Sequence, residues 1–183
     1  MAKPIKLLLV EDSQDDADLV LAELRRAGFA PEWKRVETEL DYLAELKNSP
    51  DIILADYSMP EFSGLRAVKL LREAGLDIPF ILISGTVGEA LAVEAMKHGV
   101  SDYLLKDRIA RLGRATEEAL EQKRLRDASK RSDDEIRNQL RELQRWHEAT
   151  LGREDRILEL KREVNELLAQ HRLPPRYSNT HAP

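Results

Sequence analysis

The chain has no cysteine. This removes disulfides, thiol nucleophiles and thiolate metal sites together, and suits a reducing compartment. It also has no stretch approaching the roughly 20 apolar residues of a membrane span. The opening MAKPIKLLLVED carries only a four-residue apolar run before two acids, so no signal peptide is expected and the reading is a soluble cytoplasmic protein without membrane contact. A basic block is missing too. Residues 1–106 hold 12 Lys and Arg against 19 Asp and Glu, and the remainder holds 17 against 15, finely mixed. Without a basic face there is no electrostatic footprint for nucleic acid. Proline is absent from residues 107–172, and glycine occurs there only at Gly113 and Gly152, which predicts long helix rather than a second globular domain.

What is present sits mostly in the first two thirds. Dense apolar runs, LLLV and FILI among them, lie within residues 1–106. Short continuous apolar runs read as strands buried on both faces. They are expected at Lys6–Val10, Asp51–Asp56, Pro79–Ser84 and Asp102–Lys106, with a weaker strand at Glu32–Val36. Between them fall helical patterns. The first begins at an N-cap, Ser13 or Asp15, and stops at Gly28. Others cover Glu39–Lys47, Leu65–Ala74 (stopped by Gly75) and Glu89–His98 (stopped by Gly99), and a last helix starts near Asp107. Five strands alternating with helices predict an α/β doubly wound parallel sheet.

In such sheets ligands bind beyond the carboxyl ends of the strands. Those ends carry Glu11 and Asp12, then Asp56, then Ser84, then Lys106. Taken singly, an acid there is a helix cap or turn former, a lysine is solvated, and Ser-Gly is a turn. Falling at equivalent ends of successive strands, they form a site. Three crowded carboxylates repel one another and call for a cation, and a hard ion such as Mg²⁺ suits them. A fixed carboxylate at Asp56 can act as a nucleophile towards phosphorus. Lys106 supplies a point charge for a phosphoryl oxygen, and Ser84 supplies a hydroxyl donor in a loop loosened by Gly85 and Gly88. Charge balance therefore points to an acyl phosphate at Asp56.

The segments LLLVED (7–12), DIILADYSMPEFSGL (51–65), ILISG (81–85) and YLLKD (103–107) closely resemble the receiver domain of bacterial two-component response regulators, over residues 5–121. The resemblance implies a flavodoxin-like receiver fold with Asp56 as phosphoacceptor. It implies Glu11, Asp12, Asp56 and the carbonyl of Ser58 around Mg²⁺, Ser84 as switch hydroxyl, Lys106 as phosphate-binding lysine, and Tyr103 as the aromatic that turns inward on activation. Ser58 and Thr86 match positions that tune phosphate loss, and neither is an obvious base for activating water. One departure is visible: many receivers follow the lysine with proline, whereas this chain has Asp107. The Lys106–Asp107 peptide should then be trans, and the turn into the last helix is open to a different shape.

Beyond the receiver, assigned to residues 1–121, residues 121–135 are nearly all polar, a solvated helix or a linker. Apolar spacing resumes at Ile136, Leu140 and Leu143, then shifts register through Trp146, Thr150, Arg153, Ile157, Leu160, Val164, Leu167 and His171. A long helix with one narrow stripe cannot bury it alone, so residues 122–172 are expected to form a homodimeric coiled coil; a helix folded back on the receiver, or a hairpin broken near Gly152, is the competing reading. Residues 173–183 (LPPRYSNTHAP) are expected to be disordered. His147-Glu148 resembles a kinase phosphorylation motif but lacks its downstream proline and any ATP-binding domain, and reads better as an exposed helical pair. The remaining His98, His171 and His181 lack metal-ligand spacing.

The expected function is a phosphoacceptor that takes a phosphoryl group from a histidine kinase or histidine phosphotransfer protein and passes the change to an unknown downstream protein. It is not expected to be a turnover enzyme. The alternatives are a constitutive coiled-coil scaffold with an unphosphorylated receiver, and a phosphate sink or relay.

Overall fold

The computed structural model of the chain describes residues 2–86 and 88–177. They fall into two compact units that divide between Ala128 and Ser129. The first holds five strands, β1 (Lys3–Val10), β2 (Phe29–Val36), β3 (Ile52–Asp56), β4 (Phe80–Ser84) and β5 (Asp102–Leu105), alternating with α1 (Gln14–Arg26), α2 (Glu39–Leu46), α3 (Gly64–Glu73) and α4 (Glu89–Lys97). A 3₁₀ segment, Lys106–Arg111, leads into α5 (Leu112–Gln170). All strand pairs are parallel, in the order β2-β1-β3-β4-β5. The five-stranded doubly wound sheet read from the sequence is the fold observed.

Alternation within each apolar run divides the core in two, because successive strand side chains point to opposite faces. Leu7, Leu9, Ile52, Leu54, Ile81 and Ile83 pack with α1 and with Leu112, Ala115 and Ala119 of α5. Leu8, Val10, Ile53, Ala55, Phe80 and Leu82 pack with Tyr42 of α2, with Ala67, Val68 and Leu71 of α3, and with Ala95 of α4. Burial on both faces explains runs without polar alternation. Tyr42 carries a polar atom into this core and satisfies it by donating from its hydroxyl to the carbonyl of Ala67 at 3.0 Å.

The differences from expectation have local causes. β2 begins at Phe29, before Glu32, and runs through Pro31. A proline is tolerated there because β2 is the sheet edge, where a missing N–H costs no ladder bond on the open side. β5 stops at Leu105, and Lys106 opens the 3₁₀ turn in place of the expected α-helix from Asp107. No cis peptide occurs among the described residues, as the lack of proline after Lys106 implies. Ser13 is the N-cap of α1, accepting from the Asp16 amide.

The polar stretch past residue 121 is not bare at its start. Arg126 donates twice to the Asp77 carboxylate, both bonds 3.2 Å, and Lys123 lies 3.6 Å from the same group. The first unit accordingly extends to residue 128. In the second unit Ile136, Leu140, Leu143, Ile157, Leu160 and Leu167 are all exposed. Its helix ends in a left-handed residue, Arg172 (φ 58°), with the Leu173 amide bonded to the Leu168 carbonyl at 2.9 Å and the Arg172 amide to that of Ala169 at 3.0 Å. This pairing is the Schellman closure. Within the segment expected to be disordered, the amides of Arg176 and Tyr177 then donate to the side-chain oxygen of Asn165 at 3.0 and 3.1 Å. Residues 178–183 of that segment, His181 among them, lie outside the described residues.

Two glycines set opposite expectations. A Cβ on Gly64 would run into the Leu82 side chain and the Asp56 carbonyl, whereas one on Gly152 meets nothing within 4 Å. Gly64→Ala should lower stability by about 1–3 kcal/mol through overpacking. Gly152→Ala, mid-helix, should raise helicity and stabilise the helix by about 1 kcal/mol. Denaturant unfolding followed by far-ultraviolet circular dichroism checks both signs.

Candidate functional site

The carboxyl ends of β1, β3, β4 and β5 meet on one rim. Asp56, last residue of β3, is 6% exposed, and Glu11, directly after β1, is 3% exposed. Asp12 beside it is exposed. One carboxylate oxygen from each of Glu11, Asp12 and Asp56 lies within 4.8 Å of the others. Lys106, first residue after β5, crosses the rim to them. Its ammonium is 2.8 Å from Asp56 Oδ2 and 3.9 Å from Glu11 Oε2.

Backbone groups hold the acids in place. The Ser58 amide donates to Asp56 Oδ1 at 3.3 Å, and the Ser13 amide to Glu11 Oε1 at 3.1 Å. Thus Ser58, expected to contribute its carbonyl, is seen here through its N–H. Ser84, fully buried at the end of β4, lies within 3.2 Å of the Thr86 hydroxyl and accepts from the Thr86 amide at 3.2 Å. Tyr103 of β5 is half-buried, and its hydroxyl donates to the Thr86 carbonyl at 3.0 Å. Ser84, Thr86 and Tyr103 therefore form one hydrogen-bonded group beside the acidic rim. The loop expected to shift there, 84–89, includes Val87, which lies outside the described residues. His147 is exposed on α5, as a solvated helical histidine should be.

Sequence reading missed two contributors. Asp16, in the first turn of α1, takes the Lys106 ammonium at 2.6 Å, closer than Asp56 does. Arg35, near the end of β2, donates to the carbonyls of Glu11 and Asp12 at 3.2 and 3.0 Å. Asp16 offered little signal, because Asp12 lies before the Ser13 cap and helical spacing does not relate the two acids. Arg35 offered none, because an arginine on an edge strand is ordinarily solvated.

The electrostatics follow from the crowding. Burial pushes the Glu11 carboxyl up to about 7; the charges of Asp56 and Asp16 push the same way, while the Ser13 amide and Lys106 oppose. For Lys106 burial works against the charged form, yet the hydrogen bonds it donates to Asp16 and Asp56 and the charges of Glu11 and Asp56 leave its pKa raised. The ammonium stays charged at neutral pH. Four acids around one cation leave a net negative rim of hard oxygen donors, which fits a divalent cation such as Mg²⁺.

A family model described as the response regulator receiver domain matches residues 7–117. The chain belongs to that family. The receiver is 32% identical over 109 residues to the chemotaxis protein CheY1 of Helicobacter pylori, covering 56% of this chain and 85% of that protein. It is also 32% identical over 105 residues to the two-component response regulator ARR10 of Arabidopsis thaliana, of whose length the match spans 18%. Among solved structures, a response regulator receiver domain protein from Clostridium thermocellum superposes with a TM-score of 0.58 at 25% identity, covering 66% of this chain and 98% of that one. The chain therefore carries a response regulator receiver domain over residues 7–117. Receivers as a family bind Mg²⁺ at an acidic pocket, and an acidic group of that kind is present in Glu11, Asp12 and Asp56. No helix among the described residues is long and apolar enough to cross a membrane.

The raised Glu11 value gives a pH dependence with a definite sign. The metal-free fold prefers Glu11 protonated, so the stability this group contributes is complete below about 4.5, its ordinary value, and is lost as pH rises through about 7. Glu11→Gln should abolish a fall of about 1–3 kcal/mol across that window. Urea unfolding in a chelating buffer at several pH values compares the two proteins; parallel pH profiles would count against this assignment.

Proposed function

We propose that this receiver accepts a phosphoryl group on Asp56 from a histidine kinase or histidine phosphotransfer protein, and that the acyl phosphate changes how the helical extension pairs or binds a partner. The observation that carries the reading is Asp56 itself: a buried strand-end carboxylate fixed by the Ser58 amide and met by the Lys106 ammonium at 2.8 Å.

In the proposed step an Asp56 carboxylate oxygen attacks phosphorus. The new O–P bond forms as the N–P bond of the phosphohistidine breaks, and the imidazole nitrogen keeps that electron pair and takes up a proton. Lys106 offsets charge on one phosphoryl oxygen. Glu11, Asp12, Asp56 and the Ser58 carbonyl would hold Mg²⁺, which when bound neutralises the carboxylates and the transferring oxygens. The Ser84 hydroxyl leaves Thr86 to donate to another phosphoryl oxygen, since phosphate brings about −1.5 to −2 charge and new acceptors. Thr86 then draws towards the phosphate, and the Tyr103 hydroxyl loses the Thr86 carbonyl it now holds and turns inward. Neither Ser58 nor Thr86, the side chains two residues beyond Asp56 and Ser84, is an obvious base for activating water, which supports an acyl phosphate without unusually fast self-hydrolysis.

Output is proposed to run through residues 122–172 as a homodimeric coiled coil in the cytoplasm, with residues 1–121 as the receiver. The apolar stripe exposed from Ile136 to Leu167 supports the pairing, because one helix cannot bury it.

Incubation with acetyl phosphate and Mg²⁺ should add one phosphoryl group by intact mass, and Asp56→Asn should add none. Lys106→Ala should reduce the phosphorylation rate by roughly 10²-fold or more. Sedimentation with and without beryllofluoride should report a dimer whose affinity or shape changes. Absence of labelling in the wild-type protein would sink the phosphoacceptor reading and leave a constitutive scaffold.

A further inference from the structure

Asp16 is the closest partner of the Lys106 ammonium, at 2.6 Å against 2.8 Å for Asp56. It stands at the third position of α1 after the Ser13 cap. An acid three residues after a serine cap ordinarily reaches back to the cap's own amide, closing a reciprocal pair. Only half of that pair exists here. The Ser13 hydroxyl accepts from the Asp16 amide at 3.3 Å, but the Ser13 amide is taken by Glu11 Oε1 at 3.1 Å. The Asp16 carboxylate is thereby released from helix capping and faces the rim, where its contact is the lysine.

This has a consequence for the acids. Lys106 neutralises Asp56 in the metal-free rim, and a dication held by Asp56 must displace that ammonium or share the carboxylate with it. Like charges cannot crowd together without a counter-ion between them. Asp16 gives the ammonium a second anchor on the α1 side, so it can yield Asp56 while staying in the site, one side chain's reach from a phosphoryl oxygen.

We propose that Asp16 is a positioning residue that parks the Lys106 ammonium beside the rim, favouring Mg²⁺ at the acids and keeping the lysine in place for the phosphoryl group. The proposal rests on the metal- and phosphoryl-binding role proposed for this rim. Removing Asp16 strengthens Lys106 as a competitor for Asp56 and also removes one negative charge from the rim. Both effects weaken the metal.

The test uses the full chain without phosphodonor. Asp16→Asn should bind Mg²⁺ about tenfold more weakly by calorimetry. Asp15→Asn, which removes a neighbouring exposed acid of the same helical turn, should change the affinity by less than about twofold. In metal-free protein, acylation of Lys106 by an amine reagent, read by peptide mass spectrometry, should quicken in Asp16→Asn and not in Asp15→Asn. Asp16→Glu should restore both readouts in part, and it keeps the test open should the asparagine variant fold poorly. Equal losses in the Asp15 and Asp16 variants would overturn the proposal, leaving Asp16 as background charge, and so would unchanged Lys106 reactivity. Neither readout needs phosphorylation of Asp56. A protein that never takes phosphate but shows these shifts would keep the positioning role and lose the phosphoacceptor reading; wild type that binds no Mg²⁺ would end both.

Discussion

One ammonium among four carboxylates is the constraint on which the rim depends. Glu11, Asp12, Asp16 and Asp56 converge because β1 and β3 end there and α1 begins there, and the fold leaves them little room to separate. Lys106 touches Asp16 and Asp56 and lies within 3.9 Å of Glu11. In water, charges this close interact by only about 1 kcal/mol, and several times more near a protein surface. With Glu11 and Asp56 almost fully buried, the balance is poised. The excess negative charge is relieved partly by protonating Glu11, whose carboxyl is pushed up to about 7, and would be relieved more fully by a dication.

The scaffold supplies the stiffness that this crowding needs. Arg35 clamps the Glu11 and Asp12 carbonyls from β2, and the Glu11 amide bonds the Val36 carbonyl at 3.2 Å. Gly64 lets α3 begin directly against the end of β3, where any side chain would strike the Asp56 carbonyl. These contacts bear on backbone, not on the carboxylates. The backbone behind the acids is therefore fixed, while the Glu11 and Asp56 carboxylates are themselves held by the Ser13 and Ser58 amides and by the Lys106 ammonium.

Much of this was legible in the sequence because strand ends are marked by abrupt changes of polarity. LLLVED, DIILAD and YLLKD each pass from buried to charged in one step, and the sheet topology does the rest. Asp16 was harder to read. Its nearness to Lys106 depends on the pitch of the first turn of α1 and on Glu11 occupying the Ser13 amide, neither of which composition or periodicity reveals. The 3₁₀ turn at Lys106–Arg111 was likewise hidden, since KDRIAR differs little in helix propensity from the first turns of α5. The same limit applied to Lys123 and Arg126: a polar run looks solvated until a partner 49 residues away in sequence, Asp77, is brought to Arg126.

That last pair bears on how the receiver passes into its helix. Apolar packing of α5 against the sheet stops at Ala119, with Leu120 partly covered. The next attachments are Lys123 and Arg126 to Asp77, a carboxylate about half exposed. The Arg126 hydrogen bonds hold its pKa below the usual carboxylate range, but exposed ion pairs of this kind contribute only about 0–1 kcal/mol each and weaken with salt. The helix is thus held firmly through residue 119 and loosely for two further turns. Changes in packing at the sheet can reach Ala119 through the core, whereas beyond it the attachment is electrostatic and easily exchanged for water.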